Sequence, residues 1–481
     1  MNGPTMAQPP NIILIITDQQ RFDTIAALGA GHVDTPNIDG LAKTGVSFNN
    51  CFITGASCVP SRASLFTGLY PHTTGVLKNG APWQRGWVDQ LRNAGYRTVN
   101  IGKMHTVPYD AKAGFDERYI VENKDRYLDG RWFFDEWDKA LAHRGFVKPQ
   151  RELYRKRADY AERLGAFAWE LPAELHSDNF VGGMARWWLN TKPKQQPLFL
   201  QIGFPGPHPP YDPTPELLEK YLARSDTPMP RVDKVELEAL PPPLKGKRIH
   251  DAEVDHDSVL WPLGASDEQI RRMRAHYLAN IEMIDTQVGE ILATLESRGY
   301  LDDAIVVFTT DHGDCLGDHG LTQKWSMYEE VVHVPLIISA PGRFDGGRSV
   351  DGLVQLHDLA PTILEWAGVG APYPMEAQSL GAALSGGEFP GREYVFCEQA
   401  GDHNLTACEF ITMVRSADWK LVHFKGERYG QLFDLKADPH EQRNLWDAPA
   451  HASHKQHLLD VLRDWLIESN YAARDIYADA R

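Results

Sequence analysis

The residues best suited to do chemistry lie in one short string, Cys58-Val59-Pro60-Ser61-Arg62, which runs on as Ala63-Ser64-Leu65-Phe66-Thr67-Gly68. A thiol stands just ahead of a proline, and an apolar, helix-compatible run follows from Ala63 to Leu69. Proline is tolerated in the first turn of a helix, where its missing N–H has no partner to lose. The spacing therefore puts Cys58 at or just before a helix N-terminus, where free N–H groups and the helix dipole favour an anion. Arg62 adds a rigid, forked positive charge that suits a tetrahedral oxyanion. The chemistry this suggests is a nucleophile beside an anion cradle. A cysteine alone would more simply be a small buried hydrophobe; the whole string sets Cys58 apart.

Four apolar, strand-like runs end in further reactive groups. Ile12 to Ile16 leads into Asp18-Gln19, Thr98 to Ile101 into Gly102-Lys103-Met104-His105, Leu198 to Ile202 towards His208, and Ala304 to Thr310 into Asp311-His312. Open α/β sheets bind ligands beyond the carboxyl ends of their strands, so these ends and Cys58 are expected to share one crevice. Asp18, Gln19, Asp311 and His312 form an oxygen-rich set with one imidazole, which suits Ca²⁺, Mg²⁺ or Mn²⁺ better than structural zinc. A single Asp in such a place also fits a helix N-cap; two in matched contexts favour a metal. Lys103 and Lys324 are candidate anion ligands. His105 and His208 could hold the nucleophile or protonate a leaving group, or be satisfied structural histidines. His319 and His333 read as structural, and Asp314, Asp318, His357 and Asp358 receive no role.

Cys58-x-Pro60-Ser61-Arg62 followed by Leu65-x-Thr67-Gly68-x-Tyr70-Pro71 resembles the signature of the sulfatase family. Gly102 to His105, His208 to Tyr211 and Asp311 to Lys324 match further blocks of that family in the same order. Leu435-x-x-Asp438-Pro439-x-Glu441-x-x-Asn444-Leu445 looks like its C-terminal block, so the resemblance runs from Asn11 to about Leu445. It implies an alkaline-phosphatase-like α/β domain, a small C-terminal domain and one divalent cation, Ca²⁺ first and Mn²⁺ or Mg²⁺ next. It also implies that Cys58 is oxidised to formylglycine by a formylglycine-generating enzyme and joins Asp18, Gln19, Asp311 and His312 at the metal.

In that scheme a diol hydroxyl at position 58 attacks sulfur while Arg62, Lys103 and Lys324 neutralise the sulfate oxygens. His208 protonates the departing alcohol, and His105 removes the second diol proton to expel sulfate. The resemblance extends to phosphonate monoester hydrolases. Many relatives carry Asp where this chain has Gln19, and Asn where it has His312; the latter swap occurs in some glycosaminoglycan-type sulfatases and in the phosphonate enzymes. Those enzymes generally lack Lys-x-His after the third strand, so Lys103 and His105 tilt the reading towards sulfate monoesters. A third alternative is a non-catalytic metal-binding relative with Cys58 unmodified.

Strands alternating with helices must position these groups, which argues for a large, mostly parallel sheet sandwiched by helices. The 481 residues suffice for one large domain and a smaller one, expected at 1–374 and 375–481. Past residue 375 the pattern changes to short alternating strands, Trp419–Phe424 and Gln431–Leu435, and a helix from His454 to Ser469. Ser266 and Gln269 form a capping box for a long helix that Gly299 closes. Residues 120–175 and 205–263 read as loop-rich insertions, the first able to wall a pocket.

A formal charge of −16 argues against nucleic acid or an anionic membrane as partner. A small-molecule or saccharide sulfate ester must then be held by local cations against the overall field. Five cysteines with no paired short spacing argue against a disulfide framework. The start of the chain lacks a basic, signal-like region and Ile12 to Ile16 is too short to span a membrane, so a cytoplasmic location is expected. Asn404-Leu405-Thr406 is read as a chance sequon, and a homo-oligomer is compatible with everything above.

Overall fold

Alternate residues of the run Ile12–Ile16 enter different cores: Ile12, Leu14 and Ile16 face one, Ile13 and Ile15 the other. A strand covered on both faces needs apolar residues at every position, which is why the run does not alternate. The computed structural model describes residues 9–122, 134–402, 404–405, 407–474 and 476. Its large sheet is built from β1 (Asn11–Asp18), β2 (Gly45–Phe52), β3 (Arg97–Gly102), β4 (Glu117–Ile120), β5 (Leu198–Pro207), β6 (Ala304–Thr310), β7 (His333–Ser339), β8 (Arg348–Val350) and β9 (Val354–Gln355). The spatial order is β4-β3-β5-β1-β6-β7-β2-β8, with β9 also beside β2. Only the pairings of β7, with β6 and β2, are antiparallel.

The register sets the site. Thr17 of β1 lies opposite Thr310 of β6, and Asp18 lies opposite Pro207 of β5 after a shift in the ladder. Asp18, His208 and Asp311 therefore leave the sheet at the same level, side by side. The helices Ser177–Thr191 and Asp267–Ser297 cover one face through Val181, Ala185, Trp188, Ile284, Val288 and Ile291. The Ser266–Gln269 capping box opens the second of these, and Gly299 follows it at a left-handed φ of 68°.

The other face carries the helices Cys58–Thr67 and Leu359–Trp366. It also carries a second, antiparallel sheet of β10 (Val395–Ala400), β11 (Phe410–Arg415), β12 (Trp419–Phe424) and β13 (Gly430–Asp434). Cys397, Met413 and Val422 of this small sheet join the same core as the Cys58 helix. Its outer residues Phe396, Val414 and Leu421 pack under the terminal helix Ala452–Ala472 through Leu458, Leu462 and Trp465. The large, mostly parallel sheet flanked by helices and the small antiparallel sheet are the fold class expected from sequence.

The 205–263 region differs from expectation. Its first residues extend β5, and it then forms three helices, Pro215–Leu222, Lys234–Ala239 and Pro242–Glu253. The prolines that suggested irregular chain are at the starts of two of them, where a fixed φ favours the first turn. Within 120–175, the helix Glu136–His143 opens on an Asp135–Asp138 capping box, and residues 123–133 lie outside the described residues, as does Thr406 of the sequon. All five cysteines are free. Among the described residues no helix is long and apolar enough to cross a membrane.

Candidate active site

Cys58 is the first residue of its helix, after Ser57 as N-cap, and is buried. Asn79 accepts a hydrogen bond from the free Val59 N–H at 3.0 Å, and Ser61 donates to the Asp311 carbonyl at 2.6 Å, fixing the helix against the end of β6. Sγ of Cys58 lies 3.1 Å from Nε2 of His312 and 3.9 Å from Oδ1 of Asp18. One ligand atom from each of Asp18, Cys58, Asp311 and His312 lies within 4.8 Å of all the others. Nδ1 of His312 is 2.8 Å from the Gly313 carbonyl oxygen, which only accepts, so Nδ1 carries a proton and Nε2 is the ring atom that faces the cluster. A ring anchored through its far nitrogen is how proteins prepare a histidine for a metal. The donor set fits a divalent cation.

Arg62 is fully buried and its donors face the protein. Nε lies 2.7 Å from Oδ2 of Asp311, Nη2 is 3.5 Å from Oδ2 of Asp18, and Nη1 donates to the Lys103 carbonyl at 3.2 Å. The guanidinium thus orders the two carboxylates, a placement the helix motif alone did not reveal; it is not turned out as an open oxyanion fork. Lys103 sits 2.6 Å from the same Asp18 oxygen. Burial would raise the Asp18 carboxyl, but Lys103, His208, Arg62 and Lys324 hold it well below the usual carboxylate range. Asp18 in turn raises Lys103 against the pull of burial.

Lys324 arrives on a loop folded around Asp314. Oδ1 of Asp314 accepts the N–H groups of Leu316 and Gln323 at 2.9 and 2.8 Å, closing the loop at both ends. Leu316, His319, Gln323 and Trp325 all have left-handed φ, a conformation that costs non-glycine residues energy and that the loop's contacts must sustain. Lys324 Nζ donates to Oε1 of Gln19 at 2.9 Å, and Nε2 of Gln19 donates to Asp314 at 2.6 Å. Gln19 therefore lies beside the carboxylate–imidazole cluster with its amide held between Lys324 and Asp314. Asp314 takes a further hydrogen bond from Tyr211 at 2.7 Å.

His208 stands past the end of β5, with Nδ1 2.7 Å from the Pro209 carbonyl and Nε2 3.2 Å from Oδ2 of Asp257. Burial and Lys324 depress it, and Asp257 and Asp18 oppose them. His105 follows Lys103 at a left-handed φ of 61°; its N–H is received by Glu122 at 3.0 Å and its Nδ1 is buried without a hydrogen bond. Burial, then Lys103, pushes His105 well below its ordinary value. The structure brings Asp18, Gln19, Cys58, Arg62, Lys103, Asp311, His312 and Lys324 into one contact network, with His208 joined through Asp257.

Sequence reasoning missed Asp257, Glu122 and Asn79. Asp314 could have been found, since it follows Asp311-His312 directly; Asp257 gives no sequence signal in its proline-rich surroundings. His319 is held by Glu236 at 2.6 Å and Glu330 at 3.2 Å, and Nε2 of His333 donates to the Asn49 carbonyl at 2.7 Å.

The family model described as Sulfatase matches residues 10–369, and that described as N-sulphoglucosamine sulphohydrolase, C-terminal, matches residues 317–467. The chain is 28% identical over 498 residues to an arylsulfatase of Clostridium perfringens, covering 98% of this chain and 96% of that protein. It is 27% identical to an N-acetylglucosamine-6-O-sulfatase of Bacteroides thetaiotaomicron, over 95% of this chain and 86% of the relative. Among solved structures, a phosphonate monoester hydrolase of Agrobacterium radiobacter superposes with a TM-score of 0.81 at 26% identity, covering 96% of both chains.

Proposed function

The chain belongs to the sulfatase family, and from that premise we propose that it hydrolyses a sulfate monoester to an alcohol and inorganic sulfate through a formylglycine made from Cys58. One observation carries the reading: Sγ of Cys58, the Asp18 and Asp311 carboxylates and Nε2 of His312 converge while Lys103 and Lys324 crowd the same point. Oxidised and hydrated, residue 58 would offer one hydroxyl to attack sulfur and a second whose deprotonation expels sulfate.

Asp18, Asp311, His312 and residue 58 would hold one divalent cation, Ca²⁺ by the oxygen-rich donor set with Mn²⁺ and Mg²⁺ next, and Gln19 sits beside them. The ion would acidify the nucleophile and polarise the ester. Arg62 keeps both carboxylates in place. Lys103 and Lys324 bind the non-bridging oxygens as charge moves to the leaving group. His208 gives that group a proton, and His105, kept neutral by burial and Lys103, accepts one.

We assign residues 1–374 to the catalytic domain and 375–481 to the smaller one. The substrate is a small-molecule or saccharide sulfate; likeness to the N-acetylglucosamine-6-O-sulfatase supports a sugar ester. A formylglycine-generating enzyme is the partner required during maturation. Mass spectrometry of the tryptic peptide carrying residue 58 tests the nucleophile, since an unmodified cysteine in active enzyme contradicts it. The second reading, a phosphonate monoester or phosphodiester hydrolase with the same nucleophile, draws on the structural likeness to the Agrobacterium enzyme. Rates of one preparation on an aryl sulfate, an aryl phosphonate monoester and a phosphodiester separate the two.

A further inference from the structure

Asp257 lies in the stretch that reads least clearly in the sequence, yet its carboxylate is buried beside two groups of the site. His256 and Val259 exchange both backbone hydrogen bonds at 2.9 Å, enclosing a two-residue turn made of Asp257 and Ser258. Both central residues are left-handed, with φ of 50° and 64°, as such turns require and as glycine or asparagine would adopt most easily. A costly turn of this kind fixes where its side chain goes. Oδ2 of Asp257 lies 3.2 Å from Nε2 of His208, 3.4 Å from Nε2 of His256 and 3.9 Å from Nζ of Lys324, and Oδ1 lies 3.5 Å from Nη2 of Arg151.

The far side of the His208 ring decides its charge. Nδ1 faces the Pro209 carbonyl at 2.7 Å, which can only accept, so it is protonated. A neutral ring would then turn a lone pair towards a carboxylate oxygen. Resting on the sulfatase reading above, we propose that Asp257 is a positioning residue that holds His208 as an imidazolium aimed at the leaving group. Burial and Lys324 both oppose that charge and leave the ring below its ordinary value, and Asp257 is the anion at Nε2 that counters them in part. The 3.2 Å separation is long for a charge-assisted hydrogen bond, so an arriving ester oxygen can compete for the proton. As the sulfur–oxygen bond breaks, its electron pair stays on the bridging oxygen, which takes the Nε2 proton. The ring is left neutral and recovers a proton from water.

The test uses metal-loaded enzyme carrying formylglycine, with 4-nitrophenyl sulfate, whose leaving group needs little protonation, and phenyl sulfate, whose leaving group needs more. Asp257→Asn, which tolerates left-handed backbone, and Asp257→Gly, which relieves it, are run in parallel. Both should lose about tenfold more kcat on phenyl than on 4-nitrophenyl sulfate, within the range general acids supply. The alkaline limb of the kcat profile should move to lower pH, because removing an anion weakens the imidazolium. In a His208→Ala background Asp257→Asn should cost nothing further. Equal losses on both esters, or full additivity with His208→Ala, would overturn the role of Asp257. A wild-type enzyme inert on both esters and on N-acetylglucosamine-6-sulfate would overturn the sulfatase reading instead.

Discussion

Two regions bring a buried histidine and carboxylates within ligand distance of one another, and they use the same residue types to opposite ends. Asp18, Asp311 and His312 gather with Cys58 at the strand ends; His319, Glu330 and Glu441 gather where the Lys324 loop meets the small sheet. At the first, the far ring nitrogen is bound to a neutral carbonyl and the near one faces Cys58. At the second, both nitrogens of His319 face carboxylates, and Lys420 sits 2.7 Å from Glu441 and 2.6 Å from Glu329. Against burial, Glu330 and Glu236 raise His319 to about 10, and His319 draws Glu330 down to about 2. Both clusters hold cations, Arg62 and Lys103 at the first and Lys420 at the second, but only at the second is the imidazole itself held between two carboxylates. What separates a ligand set from an ion-pair network is the acceptor behind the imidazole.

The contrast can be broken in several ways. The largest effect belongs to Cys58→Ala, which should abolish turnover, while Cys58→Ser gives at most one round that ends in a sulfated enzyme. Sustained turnover by the serine variant would remove the need for a second hydroxyl. Next come the two clusters themselves. Elemental analysis should find one divalent ion per chain, lost with Asp311→Asn together with about a thousandfold or more of activity, since the ion stabilises several kcal/mol of developing charge. His319→Gln should keep the ion; a second ion that vanishes with this variant would erase the distinction.

Lys103→Ala should lower kcat/KM on a sulfate monoester by about 10²–10³, the scale of one lost electrostatic stabiliser, with little change in Tm. If Tm falls in step with activity, Lys103 is structural. The smallest effect is thermal. The raised His319 contributes stability that is full below its unfolded value of about 6.5 and lost as pH climbs to about 10. Glu441, raised to about 7 by burial and its neighbours Glu329 and Glu330, loses its contribution earlier, between its ordinary 4.5 and about 7, so the fall above neutral pH belongs to His319. Melting curves should therefore fall from neutral pH to about 10, and His319→Gln should flatten the slope at the alkaline end. A slope unchanged in that variant would mean the imidazolium is not what the pH removes.

Much of the positioning was legible because it follows from burial on two faces. Runs such as Ile12–Ile16 and Ala304–Thr310 leave few alternatives to central strands, and the polar residues after them then have to share one edge of the sheet. The Ser266–Gln269 capping box likewise fixed a helix start from local chemistry alone. What escaped depends on distant partners. Arg62 has the same sequence context whether it faces solvent or Asp311, and only the packing of its helix on β6 decides. The proline-rich stretch hid helices because proline both interrupts and begins them. The Asp257–Ser258 turn lacks the glycine or asparagine that would have flagged it.

The enclosure of the Cys58 helix bears on how the protein is made. Cys58 and Arg62 are 1% and 0% exposed, and Pro60 lies so near Gly55 that even a methyl group there would collide. An enzyme acting on this thiol would have to reach the backbone around it, and that backbone lies buried in the folded chain. If Cys58 is matured as proposed, its oxidation has to come before the chain closes around it, and a molecule that folds first would keep its cysteine.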